Sequence, residues 1–224
     1  MDEIVGMILA AGKGERLKPL TDFVPKPLLL IEGKPLILKG IEMMKETGIK
    51  KIVINLHHLK EEIRNFLGDG KIFGVSITYS EEDELLGTGG GVKKALPFLN
   101  GKTVCIMNSD IVIDIHLKEV YSFHRRNGNP LTIVVKKGLS RDLSLKNYNV
   151  EEFFPDEEKE AWTFCGITFA ERDVLEEIPE GKGCLVRNFF VPLLRRGGKI
   201  SAFIYNGRFI DAGTPDGLKM ILEK

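Results

Sequence analysis

Four cationic side chains, Lys13, Arg16, Lys18 and Lys26, ride on one stretch punctuated by glycine and proline, AAGKGERLKPLTDFVPKPL, residues 10–28. It follows the apolar run Ile4-Val5-Gly6-Met7-Ile8-Leu9, which reads as a buried strand. A segment leaving the carboxyl end of a strand has free backbone N–H groups. Gly12 and Gly14 would let an anion approach that backbone closely, so the chemistry on offer is phosphate binding. Arg16 adds a planar fork for phosphate oxygens and Lys26 a compact charge, held between Pro25 and Pro27. The stretch is not a Walker loop, because Gly14 is followed by Glu15 and Arg16. Nor is it a dinucleotide fingerprint: Leu17 replaces the third glycine, and Pro19, Pro25 and Pro27 exclude the helix that should follow, although Glu32 sits where a ribose-binding acid would. A solvated basic loop with turn-forming prolines is the competing reading, and it does not account for the combination at one strand end.

Two further features could do chemistry. In LLGTGGGVKKALP, residues 85–97, Gly87, Gly89, Gly90 and Gly91 precede a helix, and backbone without side chains lets a flat group pack on it; a glycine-rich helix entry without a ligand is the alternative. Asp110 ends the strand-like TVCIMNSD and Asp211 follows the short strand RFI. A nucleotide's triphosphate needs Mg²⁺, which takes hard oxygen ligands, often one or two carboxylates with phosphates and water. Only a fold can bring two aspartates so far apart in sequence to one ion. Asp114, before LKEVYSF, suits a helix N-cap better than a metal site. His57 and His58 follow a strand without a third ligand for a metal. Glu81 and Glu82 could line a base pocket or face water. Trp162, Phe164 and Phe169 read as core. Asn188 could contact a substrate or cap the helix NFFVPLLRR.

The elements that must position these residues alternate. IVGMIL, KKIVINL, VSITYS and TVCIMNSD read as strands; PLILKGIEMMKETG, LKEEIRNFLGDG, GVKKALPFL and LKEVYSFHRRNG read as helices. That order predicts an α/β fold, a mostly parallel sheet with helices on both faces and ligands beyond the carboxyl ends of the strands. From about residue 130 the chain turns β-rich, with helical pieces near Asp173 to Ile178 and Val186 to Arg196, so a mixed or antiparallel extension is expected. At 224 residues, with no convincing linker, residues 1–224 read as one domain of two lobes, about 1–129 and 130–224. The acidic run 156–160 reads as a solvated turn. Lys plus Arg and Asp plus Glu both number 32, which offers no argument for a nucleic-acid or membrane partner. Cys105, Cys165 and Cys184 are odd in number and without CxxC spacing, hence reduced hydrophobes. The N-terminal apolar run is too short to span a bilayer and is preceded by Asp2 and Glu3 rather than basic residues, so a cytoplasmic location is expected.

GKGERLKPLTDFVPKPL resembles the signature of the sugar-1-phosphate nucleotidyltransferases, G-x-G-x-R-(L/M)-x-P-L-T followed by P-K-P-L, with every element in register. The resemblance continues through EGKPLI, KKIVINLHHL, the GDG turn, LLGTGGGVKKALP, NSD, FCGI and GRFIDAGTPDGL, and is nearest to the uridylyl branch acting on N-acetylmuramate 1-phosphate and the guanylyl branch acting on mannose 1-phosphate. It implies a Rossmann-like three-layer αβα fold whose C-terminal lobe binds the acceptor. The hexapeptide β-helix of many members is not expected, since this sequence ends before one could begin. It implies transfer of a nucleotide, UTP favoured, to a sugar-1-phosphate with release of pyrophosphate. Other phosphorylated acceptors (phosphocholine, inositol phosphate, molybdopterin) and a catalytically silent nucleotide-sugar sensor are the alternatives. The implied nucleotide contacts are Leu9, Ala10, Ala11, Gly12, Gly14, Glu15, Arg16, Lys26, Gly87, Thr88, Gly89, Asn108 and Ser109. Arg16, Lys26 and Asp110 would be catalytic, Asp110 and Asp211 would hold Mg²⁺, and Gly166 and Asn188 would meet the sugar. A monomer or small homo-oligomer acting on small molecules is expected. One departure stands out: the glutamate-lysine-proline element that many relatives carry before FxGI is missing from VEEFFPDEEKEAWTFCGI, leaving Lys136 and Lys159 as candidates to hold the sugar phosphate.

Overall fold

The computed structural model describes residues 4–222; Asp2 and Glu3, on which the reading of the N-terminus turned, lie outside the described residues. Nine strands form the main sheet: β1 (Ile4–Leu9), β2 (Lys51–Leu56), β3 (Ser76–Glu81), β4 (Thr103–Asn108), β5 (Leu131–Lys137), β6 (Leu143–Lys146), β7 (Asn149–Phe153), β8 (Trp162–Glu171) and β9 (Ile200–Ile204). Their order across the sheet is β3-β2-β1-β4-β8-β5-β9-β7-β6. The first four are parallel, β8 runs antiparallel to both β4 and β5, β9 is parallel to β5, and β7 and β6 close the edge antiparallel.

Alternation along the strands explains the layers. Val5 and Met7 of β1 face one apolar cluster with Val92, Ala95, Leu175, Phe189 and Leu193, while Ile8 faces another with Ile37, Ile41, Met44, Ile63 and Val120. Helices α1 (Leu36–Thr47), α2 (Lys60–Leu67) and α4 (Leu117–Asn127) therefore cover one face. Helix α3 (Gly87–Ala95) covers the other, together with the helical pieces Arg172–Leu175 and Val186–Arg195. Both α1 and α4 stop on glycines in the left-handed conformation, Gly48 and Gly128. A terminal helix, α5 (Pro215–Leu222), packs Ile221 with Leu17, Leu36 and Ile210 in a third, smaller cluster.

Two features of this topology matter for chemistry. The chain steps outward from β1 through β2 to β3, then returns to the other side of β1 as β4, so the strand order reverses between β1 and β4 and leaves a crevice beyond their carboxyl ends. A separate two-stranded ribbon pairs Ile111–Ile113 with Phe209–Asp211, setting Asp211 opposite Ile111. The sequence reading had neither the Ile111–Ile113 strand nor β6. The expectation that Gly87, Gly89, Gly90 and Gly91 precede a helix is also corrected, for they lie inside α3. Asp114 does not cap α4: the cap residue is His116, without a side-chain bond, and Asp114 Oδ1 accepts instead from Lys39 Nζ at 2.7 Å.

Candidate active site

The crevice is zipped at its base, where the Ser109 backbone N–H donates to Leu9 O at 3.2 Å. From there Ala10, Ala11 and Gly12 run along its edge, and Leu9, Asn108 and Ser109 face the same cleft. The prolines act as the sequence suggested: the stretch to residue 28 holds three 3-10 turns, Glu15–Leu17, Leu20–Asp22 and Lys26–Leu28, and no α-helix. Its two glycines serve different ends. A Cβ at Gly12 would meet nothing within 4 Å, so that position is open to the cleft; a Cβ at Gly14, where φ is +66°, would stand 2.7 Å from Thr21 Cγ2. Gly14 is thus required by the loop's own packing, in which the fully buried Thr21 hydroxyl donates to Gly14 O at 2.9 Å. His58 Nε2–H donates to Thr21 O at 2.8 Å, so the histidine pins the loop. Glu15 is exposed beside it.

The charged groups converge on one end of the cleft. Lys26 Nζ forms a largely buried ion pair with Asp110 Oδ2. The ribbon delivers the second carboxylate: the Ala212 N–H donates to Asp110 O at 2.9 Å, and the Gly213 N–H to Asp211 Oδ1 at 2.9 Å. Arg16 Nη2 stands 4.0 Å from Asp211 Oδ2, the arginine well exposed and the aspartate half-buried. Burial, and then the charge of Asp110, hold the Asp211 carboxyl above the usual aspartate range, with Lys26 and Arg16 offsetting part of the rise. Two hard-oxygen carboxyl groups at one mouth, the Asp211 group with its ionisation disfavoured, are a fit for a divalent cation. Among the described residues no group of three or more His, Cys, Asp or Glu could hold a metal.

The facing wall is Leu85, Gly87 and Thr88. Here the reason for the glycines differs from the one read in the sequence. A Cβ at Gly87 or Gly89 would press on the backbone of Gly183 to Leu185, one at Gly90 on Gly181 O, and one at Gly91 on Asn55 and Glu82. The run lets the 181–185 segment lie against α3, where Gly183 O accepts from Gly89 N–H at 2.8 Å and Thr88 Oγ1 from Leu185 N–H at 2.8 Å. Asn55 also lines the cleft and was not singled out from the sequence; the signal was a lone amide in the apolar strand KIVINL. Glu82, left open between pocket and solvent, is buried, while Glu81 pairs with Lys60 and Arg64 at the surface.

Of the two residues expected at the sugar, Gly166 lies in β8 with φ +73°, and a Cβ there would stand 2.8 Å from Asn108 Nδ2, so it backs the end of β4. Asn188 braces its own helix entry by accepting from Cys184 N–H at 2.7 Å. Lys136 Nζ donates to Gly207 O at 2.8 Å, in the turn leading to Asp211, whereas Lys159 is tied to Glu152 at 2.7 Å. A larger hollow lies at the opposite, amino ends of β1 to β3, between Lys50, Ser76 and Phe98, remote from all of these groups.

A sheet whose strand order reverses beside a cationic loop, with paired carboxylates delivered to the same mouth, defines the class: an α/β protein with a charged cleft at the carboxyl edge of its sheet. The chain belongs to the nucleotidyl transferase family, whose model matches residues 5–143, and it is accordingly a nucleotidyltransferase. It is 34% identical to the N-acetylmuramate alpha-1-phosphate uridylyltransferase of Neisseria meningitidis, over 95% of this chain and 94% of that protein. It is 32% identical to the UTP–glucose-1-phosphate uridylyltransferase of Synechocystis and 28% to the mannose-1-phosphate guanylyltransferase of Mycobacterium tuberculosis, spanning only 60% and 62% of their lengths. A solved structure titled as a putative glucose-1-phosphate thymidylyltransferase from Bacillus anthracis shares the fold, with a TM-score of 0.84 over 97% of this chain and 93% of that one at 23% identity. No helix among the described residues is long and apolar enough to cross a membrane.

Proposed function

We propose that the protein transfers a nucleoside monophosphate from a nucleoside triphosphate, UTP in preference, to a sugar-1-phosphate, giving a nucleotide sugar and pyrophosphate. The observation that carries the reading is the convergence of Arg16, Lys26, Asp110 and Asp211 at the open end of the cleft beside Gly12. The preference for UTP is supported by the relative matched over nearly its whole length, which is named a uridylyltransferase.

In this reading the backbone from Leu9 to Gly14, with Glu15 beside it, and the wall of Gly87 and Thr88 hold the nucleotide, Gly89 packs behind that wall on Gly183, and Asn108 and Ser109 floor the cleft. Arg16 stabilises charge at the α- and β-phosphates and Lys26 binds a phosphate oxygen. A phosphate oxygen of the acceptor attacks the α-phosphorus and pyrophosphate leaves, with no covalent enzyme intermediate. Two polyanions must be aligned and their charge neutralised, so positioning and electrostatics supply most of the rate. Asp110 and Asp211 would hold Mg²⁺, which supplies charge neutralisation at the phosphate oxygens. Gly166 and Asn188 border the sugar, and Lys136, beside the turn into Asp211, is the better placed of the two lysines to meet its phosphate. A cytoplasmic monomer or small homo-oligomer, with residues 1–224 as one domain, goes with soluble substrates of this kind. The test is pyrophosphate release in a matrix of nucleoside triphosphates against sugar-1-phosphates with Mg²⁺. Release that requires both substrates supports the reading; binding of nucleotide sugars without release in any combination removes it in favour of a silent sensor.

A further inference from the structure

Asn55 and Glu82 are 3% and 2% exposed, and together they join the two walls of the cleft. On one side the Ala10 backbone N–H donates to Asn55 Oδ1 at 2.8 Å. In the middle Asn55 Nδ2 donates to Glu82 Oε1 at 2.7 Å, and on the other side the Leu86 N–H, at the entry to α3, donates to Glu82 Oε2 at 2.9 Å. The Glu82 backbone is itself fixed, its N–H bonded to Leu56 O at 2.8 Å and its carbonyl accepting from His57 Nδ1–H at 3.0 Å. Ala10 belongs to the cationic loop's edge and Leu86 precedes Gly87 and Thr88 of the facing wall.

The polarity of this chain is forced from both ends. Backbone N–H groups can only donate, so the Asn55 oxygen must face Ala10, and its amide nitrogen must face Glu82. Glu82 then receives two donors and needs an acceptor for each, which a carboxylate supplies and an amide cannot. Glu82 sits at the entry to α3, where the helix dipole favours a negative charge. Gly91 leaves room for the pair, since a Cβ there would stand 2.6 Å from Asn55 Nδ2 and 2.8 Å from Glu82 Oε1.

We propose that Asn55 and Glu82 are positioning residues that set the gap between the cationic loop and the α3 wall, and so tune nucleotide affinity without reading the base. This rests on the cleft being the nucleotide site. The test is calorimetric binding of each of the four common nucleoside triphosphates with Mg²⁺ and no acceptor, with thermal unfolding as a check on folding. E82Q confronts a donor with a donor and should weaken all four nucleotides by a similar factor, about tenfold or more. Where turnover is measured, the nucleotide KM should rise more than kcat falls. N55D sets two carboxylates face to face and should also weaken binding. The double variant N55D/E82Q restores the polarity: the new carboxylate at 55 accepts from Ala10 N–H and from the new amide at 82, whose oxygen accepts from Leu86 N–H. It should bind within about threefold of the wild type, a coupling neither single change anticipates. E81Q, next along the chain but on the surface, should leave nucleotide binding unchanged. The proposal is overturned if E82Q binds as the wild type does, if N55D/E82Q is no better than E82Q, or if E82Q reorders the four bases, which would make Glu82 a direct reader. Should E82Q fail to fold, a folded N55D/E82Q that binds supports the proposal and one that does not overturns it. A wild type that binds no nucleoside triphosphate removes the functional reading itself, a distinct result.

Discussion

Gly213 offers a sharp perturbation of the charged mouth. A Cβ at this buried glycine would stand 2.6 Å from Asp110 Oδ2 and 2.8 Å from Lys26 Cε, and it would press on Lys26 Nζ as well. Ordinary van der Waals contact begins at 3.4 Å. The carboxylate must therefore retreat by roughly 0.8 Å, the lysine must swing away, or both. The φ of Gly213 is not in the left-handed region, so alanine fits the backbone and the whole effect falls on the side chains. Misplacement of reacting or stabilising groups by about 1 Å costs on the order of 100-fold. We expect Gly213→Ala to lower kcat/KM for pyrophosphate release by about that factor, or about 2.7 kcal/mol of transition-state stabilisation. Stability should change little, because the restricted unfolded chain returns about 0.4–1 kcal/mol against the clash. The assay is coupled pyrophosphate detection at saturating Mg²⁺, with thermal unfolding alongside. A folded alanine variant turning over at the wild-type rate would refute the role given to the Lys26–Asp110 geometry.

The two glycines of the cationic loop should separate binding from folding. Gly12→Ala, with open space at its Cβ, should leave the melting temperature unchanged and weaken nucleotide binding, whereas Gly14→Ala, at φ +66° and against Thr21, should unfold at lower temperature; equal melting points would contradict this division. Asp211→Asn should stabilise the protein at neutral pH. The Asp211 carboxyl is raised in the folded state, so the folded chain holds its proton longer and stability falls as pH rises from the ordinary aspartate range through the raised value, the penalty being fully present above that value. The gain in melting temperature should vanish below about pH 4, and a variant less stable than the wild type at pH 7 would contradict the sign. The same shift should make Mg²⁺ activation fade on acidification at a pH above the usual carboxylate range, measured as the apparent Mg²⁺ constant against pH.

Local chemistry was the legible part of this chain. Prolines at 19, 25 and 27 forbid a helix, and the loop holds only 3-10 turns. Alternating strand and helix patterns over residues 4–127 give the parallel half of the sheet, because period-2 and period-3.6 signals are local. The placement of β8 between β4 and β5 was not legible, since pairing partners depend on the whole sheet. Nor was β6, whose LSLK is too short to show a pattern. The glycines of 87–91 were visible as a demand for close approach, but what approaches is the backbone of residues 181–185, far along the sequence. Asp114 looked like a cap because its neighbourhood suited one, yet Lys39 of α1 captures it. Asn55 escaped, and Glu82 was left between pocket and solvent, for a similar reason: a buried polar pair is recognisable only once its donors are placed. The meeting of Asp110 with Asp211 depends on a three-residue ribbon that no periodicity announces.

Cation binding tests the paired carboxylates most directly. Mn²⁺, titrated by electron paramagnetic resonance into the protein with a nonhydrolysable nucleoside triphosphate analogue, reports the ion without requiring turnover. One tight ion per chain, lost in both Asp110→Asn and Asp211→Asn while each variant stays folded, is the expected result. Full retention of that ion in either folded variant would contradict the site.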